Sequence, residues 1–197
     1  MMRAGDKLAS YTVLAQTLAL LRDLPWRLLV AGDGVARPQV QAMLAQATPG
    51  RASLLGACDA RTMAALYAAA DLCIWPGVNE AYGMAMLEAQ AAGTPVVSCA
   101  TRGVPDVVRD GVTGLLAPGV DAQQLASCTR ALLGDPLRRA VMRRAAARFV
   151  EDERSLTHAA ERLRALLAPW DRADADADAG SARWALDVSE PSRVGLP

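Results

Sequence analysis

Apolar positions first recur at helical spacing near the start of the chain. Leu14, Leu18 and Leu21 share one stripe of Ser10–Arg22, with Ser10 as the expected N-cap. The pattern then shortens: Trp26–Ala31 is a compact apolar run closed by Gly32-Asp33-Gly34, which predicts a strand and a tight turn. The same alternation predicts a helix over 37–47, a strand over 52–56, a helix over 60–70 and a strand over 71–75 stopped by Pro76. A helix from about Ala81 to Ala92 ends at Gly93, and further strands fall at Thr94–Ser98 and Val112–Leu116. Asp121 with Gln124 resembles a capping box for a helix through Leu133, and Asp135-Pro136 opens a second helix to about Arg148. Leu156, Ala160, Leu163 and Leu167 stripe a last helix over 153–167. Strands alternating with helices predict an α/β protein with a doubly wound parallel sheet. Ligands of such sheets bind beyond the carboxyl ends of the strands. Glu80 and Gly103 fall there, after the strands ending at Trp75 and Ser98.

Past Pro169 the periodicity dissolves into alternating Ala and Asp, so 171–197 is expected to be a disordered acidic tail and 1–170 a single domain. Lys and Arg total 21 and so do Asp and Glu, which leaves no net field to attract nucleic acid. No apolar run approaches the roughly 20 residues that span a bilayer, and Met1–Lys7 has no signal-peptide core. A cytoplasmic location is expected. Cys58, Cys73, Cys99 and Cys128 are scattered without a Cys-x-x-Cys pair and read as small core residues, with no metal site. His158 lies off its helix stripe and reads as a surface histidine, with no Ser–His–Asp or Cys–His grouping around it. Arg138, Arg139, Arg143, Arg144 and Arg148 scatter around their helix. They read as a solvated face; peripheral membrane contact is the unsupported alternative.

The chemistry concentrates in Asn79-Glu80-Ala81-Tyr82-Gly83-Met84-Ala85-Met86-Leu87-Glu88. The spacing predicts Glu80 at the mouth of a helix and Glu88 about two turns deeper on nearly the same face. Between them the amides of Tyr82, Gly83 and Met84 are first-turn donors, and the helix dipole adds positive potential. A helix start of this kind holds a pyrophosphate, while the two carboxylates accept hydroxyls on either side. That is the layout of a nucleotide sugar. Gly32-Asp33-Gly34 is not completed to Gly-x-Gly-x-x-Gly, which excludes a dinucleotide fingerprint; it supplies a turn, with Gly32 toward the donor base.

These residues resemble the Glu-x7-Glu motif of retaining glycosyltransferases of the GT-B fold, particularly family four. The flanking words match as well: Trp75-Pro76 before, Leu87–Val97 after, then Gly103–Val108 and Asp110–Leu116. The resemblance implies a Rossmann-like donor-binding domain in which Glu80 contacts the transferred sugar and Glu88 takes the ribose hydroxyls. Ala81, Tyr82, Gly83, Met84 and Leu87 would line the donor. Gly103 would line the pocket at most, and Asp106 would be a helix-start charge. Lys7 and Arg3 match the family's basic pair for the diphosphate, at an unusual spacing, and two such cations neutralise a leaving diphosphate without a metal. No cofactor is implied; the nucleoside diphosphate sugar is the donor substrate.

The resemblance covers roughly 1–168 and only the donor half of such an enzyme. A missing N-terminal acceptor domain or a partner chain is therefore expected. Met1-Met2 falls where the domain's first, usually central strand would end, and losing that strand leaves its neighbours' backbone groups unpaired. The main reading is a retaining, metal-independent hexosyl transferase present as its donor half. The alternatives are a non-catalytic nucleotide-binding remnant or partner-dependent module, and a fragment of a GT-B sugar epimerase.

Overall fold

Gly5 turns the N-terminal segment through a left-handed conformation (φ 77°), and Asp6 opens helix α1, Asp6–Ala19, in the computed structural model, which describes residues 2–178. An acidic residue suits a first turn, where the helix dipole is positive. The helix therefore starts four residues before the expected cap, and Ser10 lies inside it, buried. Tyr11, Leu14, Ala15 and Leu18 form the buried stripe, at the spacing of one helix face.

The remaining elements alternate as the pattern predicts: β1 (Leu28–Ala31), α2 (Arg37–Ala47), β2 (Ala52–Gly56), α3 (Ala60–Ala69), β3 (Cys73–Trp75), α4 (Met84–Ala91), β4 (Val96–Cys99), α5 (Val104–Val107), β5 (Gly114–Ala117), α6 (Ala122–Leu133) and α7 (Pro136–Glu153). Local caps explain several starts. Asp59 accepts from the Thr62 amide at 2.7 Å, Asp121 from Gln124 at 2.7 Å and Asp135 from Arg138 at 2.8 Å. The motif helix differs: it begins at Met84, after Gly83 in a left-handed conformation (φ 97°), so residues 80–83 are loop.

All strand pairing between the named strands is parallel, in two hydrogen-bonded sheets, β1–β2 and β3–β4–β5. β4 is central in its sheet and buried along its whole length. Among the described residues β1 and β3 each pair on one edge only, so the expected single sheet is divided. One core nonetheless joins the two parts: Met2, Tyr11, Leu14, Leu18, Val30 and Leu44 cluster together, and Ile74 and Trp75 of β3 pack against them. The Tyr11 ring meets Trp75 edge-on with centroids 5.1 Å apart. Met2 enters beside the end of β1, its amide donating to Asp33 O at 2.8 Å and its carbonyl accepting from the Ala36 amide at 3.1 Å. A Cβ on Gly34 would lie 2.2 Å from Met2 O, so the Gly32-Asp33-Gly34 turn seats the N-terminal segment.

Two of the five arginines expected on a solvated face are structural donors. Arg139 Nη1 donates to Leu133 O at 2.7 Å at the end of α6; Arg143 donates to Ala70 O at 2.8 Å and Ala68 O at 2.9 Å at the end of α3. Helix ends leave carbonyls without partners, and guanidinium forks satisfy them. Arg138, Arg144 and Arg148 are exposed.

The chain from Ser155 onward forms a separate unit. Ser155 Oγ accepts from the His158 amide at 3.2 Å, capping helix α8, Leu156–Asp178. Leu156, Leu163, Leu166 and Leu167 are exposed on it, and His158 is half-buried. The helix runs past Pro169 through the first eight residues of the expected tail, because its Ala-rich sequence favours helix. Residues 179–197 lie outside the described residues.

Candidate functional site

Trp75 ends β3, and Pro76–Gly83 carries the chain to α4 along the carboxyl edge of the sheet. The first turn of α1 lies against this loop. Lys7 Nζ sits 2.7 Å from Glu80 Oε2, with side-chain exposures of 30% and 19%, and lies 5.4 Å from the centre of the Trp75 ring. The lysine is thus held by a carboxylate and an aromatic face together. Arg3, Asp6, Lys7, Asn79, Glu80 and Ala81 border one cleft of about 430 Å³. Arg3 is exposed on its wall.

Backbone packing shapes the rest of the edge. The loop after β4 meets the loop after β3: Thr101 Oγ1 donates to Gly77 O at 2.8 Å and the Gly103 amide to Glu80 O at 3.4 Å. The space at Gly103 is so tight that a Cβ there would stand 2.0 Å from Ala81 O. Gly103 therefore shapes the site by close backbone approach. At the start of α4 the amides of Tyr82, Gly83, Met84 and Ala85 have no acceptor among the described residues. Tyr82, Met84 and Ala85 are exposed and Gly83 is buried; unpaired amides at a helix start suit an anion.

The structure brings Arg3, Lys7, Glu80 and Ala81 to one cleft, with the helix-start amides following in the chain. It does not bring every expected residue there. Glu88 is exposed on α4 and is not among the residues bordering the cleft; the helix starts only at Met84, so Glu80 lies off it. The Tyr67 hydroxyl is pushed well above its ordinary pKa by burial first, then by the nearby Cys73 and Glu88 charges. Leu87 is half-buried. Gly32 is at the end of β1, its amide donating to Gly56 O at 2.7 Å. Asp106 is exposed in α5, where its carbonyl accepts from Arg154 Nη2 at 2.7 Å.

Burial also raises the Cys73 thiol to about 12, so it stays protonated and inert at neutral pH. All four cysteines are free thiols. Among the described residues no group of three His, Cys, Asp or Glu side chains could hold a metal ion, and no helix is long and apolar enough to cross a membrane. Sequence reasoning missed Asp6, Ser10 and Thr101, which fix the loop carrying Glu80. Only Asn79, quoted within the motif, carried any signal of that role.

A parallel α/β domain with a carboxylate, cations and free helix-start amides on its carboxyl edge has the layout of GT-B glycosyltransferases. The family model for glycosyl transferases group 1 matches residues 4–135, and the chain belongs to that family. A D-inositol 3-phosphate glycosyltransferase of Mycobacterium marinum is 38% identical over 170 residues, covering 82% of this chain and 35% of that protein. The chain thus spans about a third of that relative's length. Sucrose-phosphate synthase of Thermosynechococcus elongatus superimposes with a TM-score of 0.71 at 26% identity, over 83% of this chain and 43% of that one. The Anabaena protein HepE, solved with UDP-glucose, gives a TM-score of 0.69 at 22% identity, over 80% and 44% of the two chains.

Proposed function

We propose that this chain is the donor-binding half of a retaining glycosyltransferase that takes a nucleoside diphosphate sugar without a metal ion. The observation that carries this reading is the meeting of Arg3, Lys7 and Glu80 in one cleft, beside the unpaired amides that open α4. The diphosphate is the leaving group. Lys7, Arg3 and the amides of Tyr82, Gly83 and Met84 take up the charge that develops as the bond to the sugar breaks. Glu80 accepts hydroxyls of the transferred sugar. Lys7 and Glu80 pair with each other at 2.7 Å; a donor re-partners both. Glu88, exposed on α4, takes the ribose hydroxyls.

The sugar acceptor is held by a further domain or a partner chain. The length of the matched relative supports this. Holding donor and acceptor together contributes about 7–11 kcal/mol to such a reaction, and a donor half alone supplies little of it. The reading is tested by assaying this chain beside a form extended through an acceptor domain. Sugar transfer is expected from the longer form only, with UDP binding to either unaffected by a chelator. Equal transfer by the two forms, or UDP binding lost on chelation, would overturn it.

A further inference from the structure

The first two turns of α1 hold the motif loop at three points, and only Lys7–Glu80 belongs to the donor-handling set. The second point is Ser10, which is 1% exposed. Its Oγ donates to Asp6 O at 2.8 Å and accepts the Val78 amide at 3.0 Å. The third joins Asn79 Nδ2 to Asp6 Oδ2 at 2.8 Å. A serine inside a helix that bonds back to the carbonyl one turn earlier gains little from that bond. Burying the hydroxyl also carries a cost unless it finds partners. The Val78 amide, 68 residues away in sequence, is the partner that turns this hydroxyl from a liability into a fastener.

The loop needs fastening. Gly77 and Asn79 both adopt left-handed backbone, with φ of 66° and 55°. Such geometry at a non-glycine residue persists only where the surroundings over-determine it. The Glu80 amide closes the turn on Gly77 O at 3.0 Å, and Thr101 holds that same carbonyl. Among the described residues the Glu80 carboxylate has one side-chain partner, Lys7. A diphosphate would compete for that lysine. Once Lys7 turns to the donor, the place of Glu80 is set by what grips residues 78 and 79.

We propose that Ser10, buried in α1 and bonded to the Val78 amide, is a positioning residue that sets Glu80 in the cleft, with Asp6–Asn79 as its companion clasp. The proposal rests on the donor reading for what Glu80 contacts, and on geometry alone for how Glu80 is held.

Ser10→Ala removes the acceptor. Thr17→Ala is the matched control, since Thr17 is equally buried in the same helix and, among the described residues, its hydroxyl bonds only to Val13 O, at 2.8 Å. Amide hydrogen exchange reads the loop directly. Ser10→Ala should speed exchange at Val78 and Glu80 about tenfold, the worth of one hydrogen bond, and leave Val97 of β4 unchanged. Thr17→Ala should leave both loop amides at wild-type rates. Calorimetry with UDP and with UDP-glucose reads the consequence. Ser10→Ala should lose the affinity that the glucose adds while holding UDP within about twofold. Asn79→Gly, an exposed change, tests the companion clasp and should act in the same direction on both measurements; Ser10→Cys, which keeps the volume but is a poor acceptor, decides the Ser10 claim if Ser10→Ala does not fold. Wild-type exchange at Val78 and Glu80 in Ser10→Ala overturns the proposal, as does an intact ratio of UDP-glucose to UDP affinity in a variant whose loop exchanges faster. Failure of the wild-type chain to bind either probe overturns the donor reading instead, and the exchange rates still decide the positioning claim.

Discussion

Adding one methyl group at Gly103 tests how the two loops of the site are built. Gly103 has φ −81° and ψ 0°, which alanine adopts without strain, so any cost is steric. The new Cβ would lie 2.0 Å from Ala81 O, 2.9 Å from Ala81 C and 3.2 Å from Tyr82 Cα. All three are backbone atoms, and none can move aside by a change of rotamer. Overfilling a packed site costs about 1–3 kcal/mol, and rigid neighbours put this case at about 3 kcal/mol. Restricting the unfolded chain returns about 0.4–1 kcal/mol. The net destabilisation is about 2 kcal/mol, or a fall in melting temperature of about 4–8 °C for a chain of this size. Gly134→Ala is the internal control: its φ is −79°, and the nearest atom to a new Cβ is Arg130 O at an ordinary 3.4 Å. That variant should melt at or slightly above the wild type. Thermal unfolding followed by circular dichroism measures both, and calorimetry with UDP should show weaker binding for Gly103→Ala, because Ala81 and Tyr82 lead into the helix-start amides. If Gly103→Ala melts with Gly134→Ala, the loops after β3 and β4 do not pack backbone to backbone.

Three further outcomes are expected. Glu88→Ala should weaken UDP binding by about 1–3 kcal/mol, the cost of the ribose hydrogen bonds, and unchanged affinity would remove Glu88 from the donor site. Arg143→Met should destabilise the fold by about 1–2 kcal/mol by stranding the α3 carbonyls of Ala68 and Ala70, while Arg144→Met and Arg148→Met, at exposed positions, should be near neutral in urea unfolding. Asp23, Asp33 and Asp59 titrate below ordinary aspartate because Arg130, the Gly34 amide and Thr62, respectively, favour their charged forms. Their stabilisation is complete above the unfolded value of about 4 and is lost as pH falls through the folded values, so the melting temperature should drop below about pH 4; a rise there would contradict the pairing.

Much was decided within short stretches of chain. The bounds of α2 and β2 match the periodicity, and α3, α6 and α7 start where Asp59, Asp121 and Asp135 offer caps, because both signals arise between residues a few positions apart. The motif around Glu80 likewise carried the family. Tertiary structure decided the rest. Ser10 is read locally as a cap, yet its working partner is Val78; Arg143 is read as solvated, yet it closes a helix 73 residues away in sequence. The start of α4 moved from Ala81 to Met84, with Gly83 left-handed and close to Val107, and this put three loop residues between Glu80 and the helix. Periodicity reports which face of an element is apolar. It is blind to hydrogen bonds and backbone approaches between distant segments, and at this site those contacts set where each charge stands.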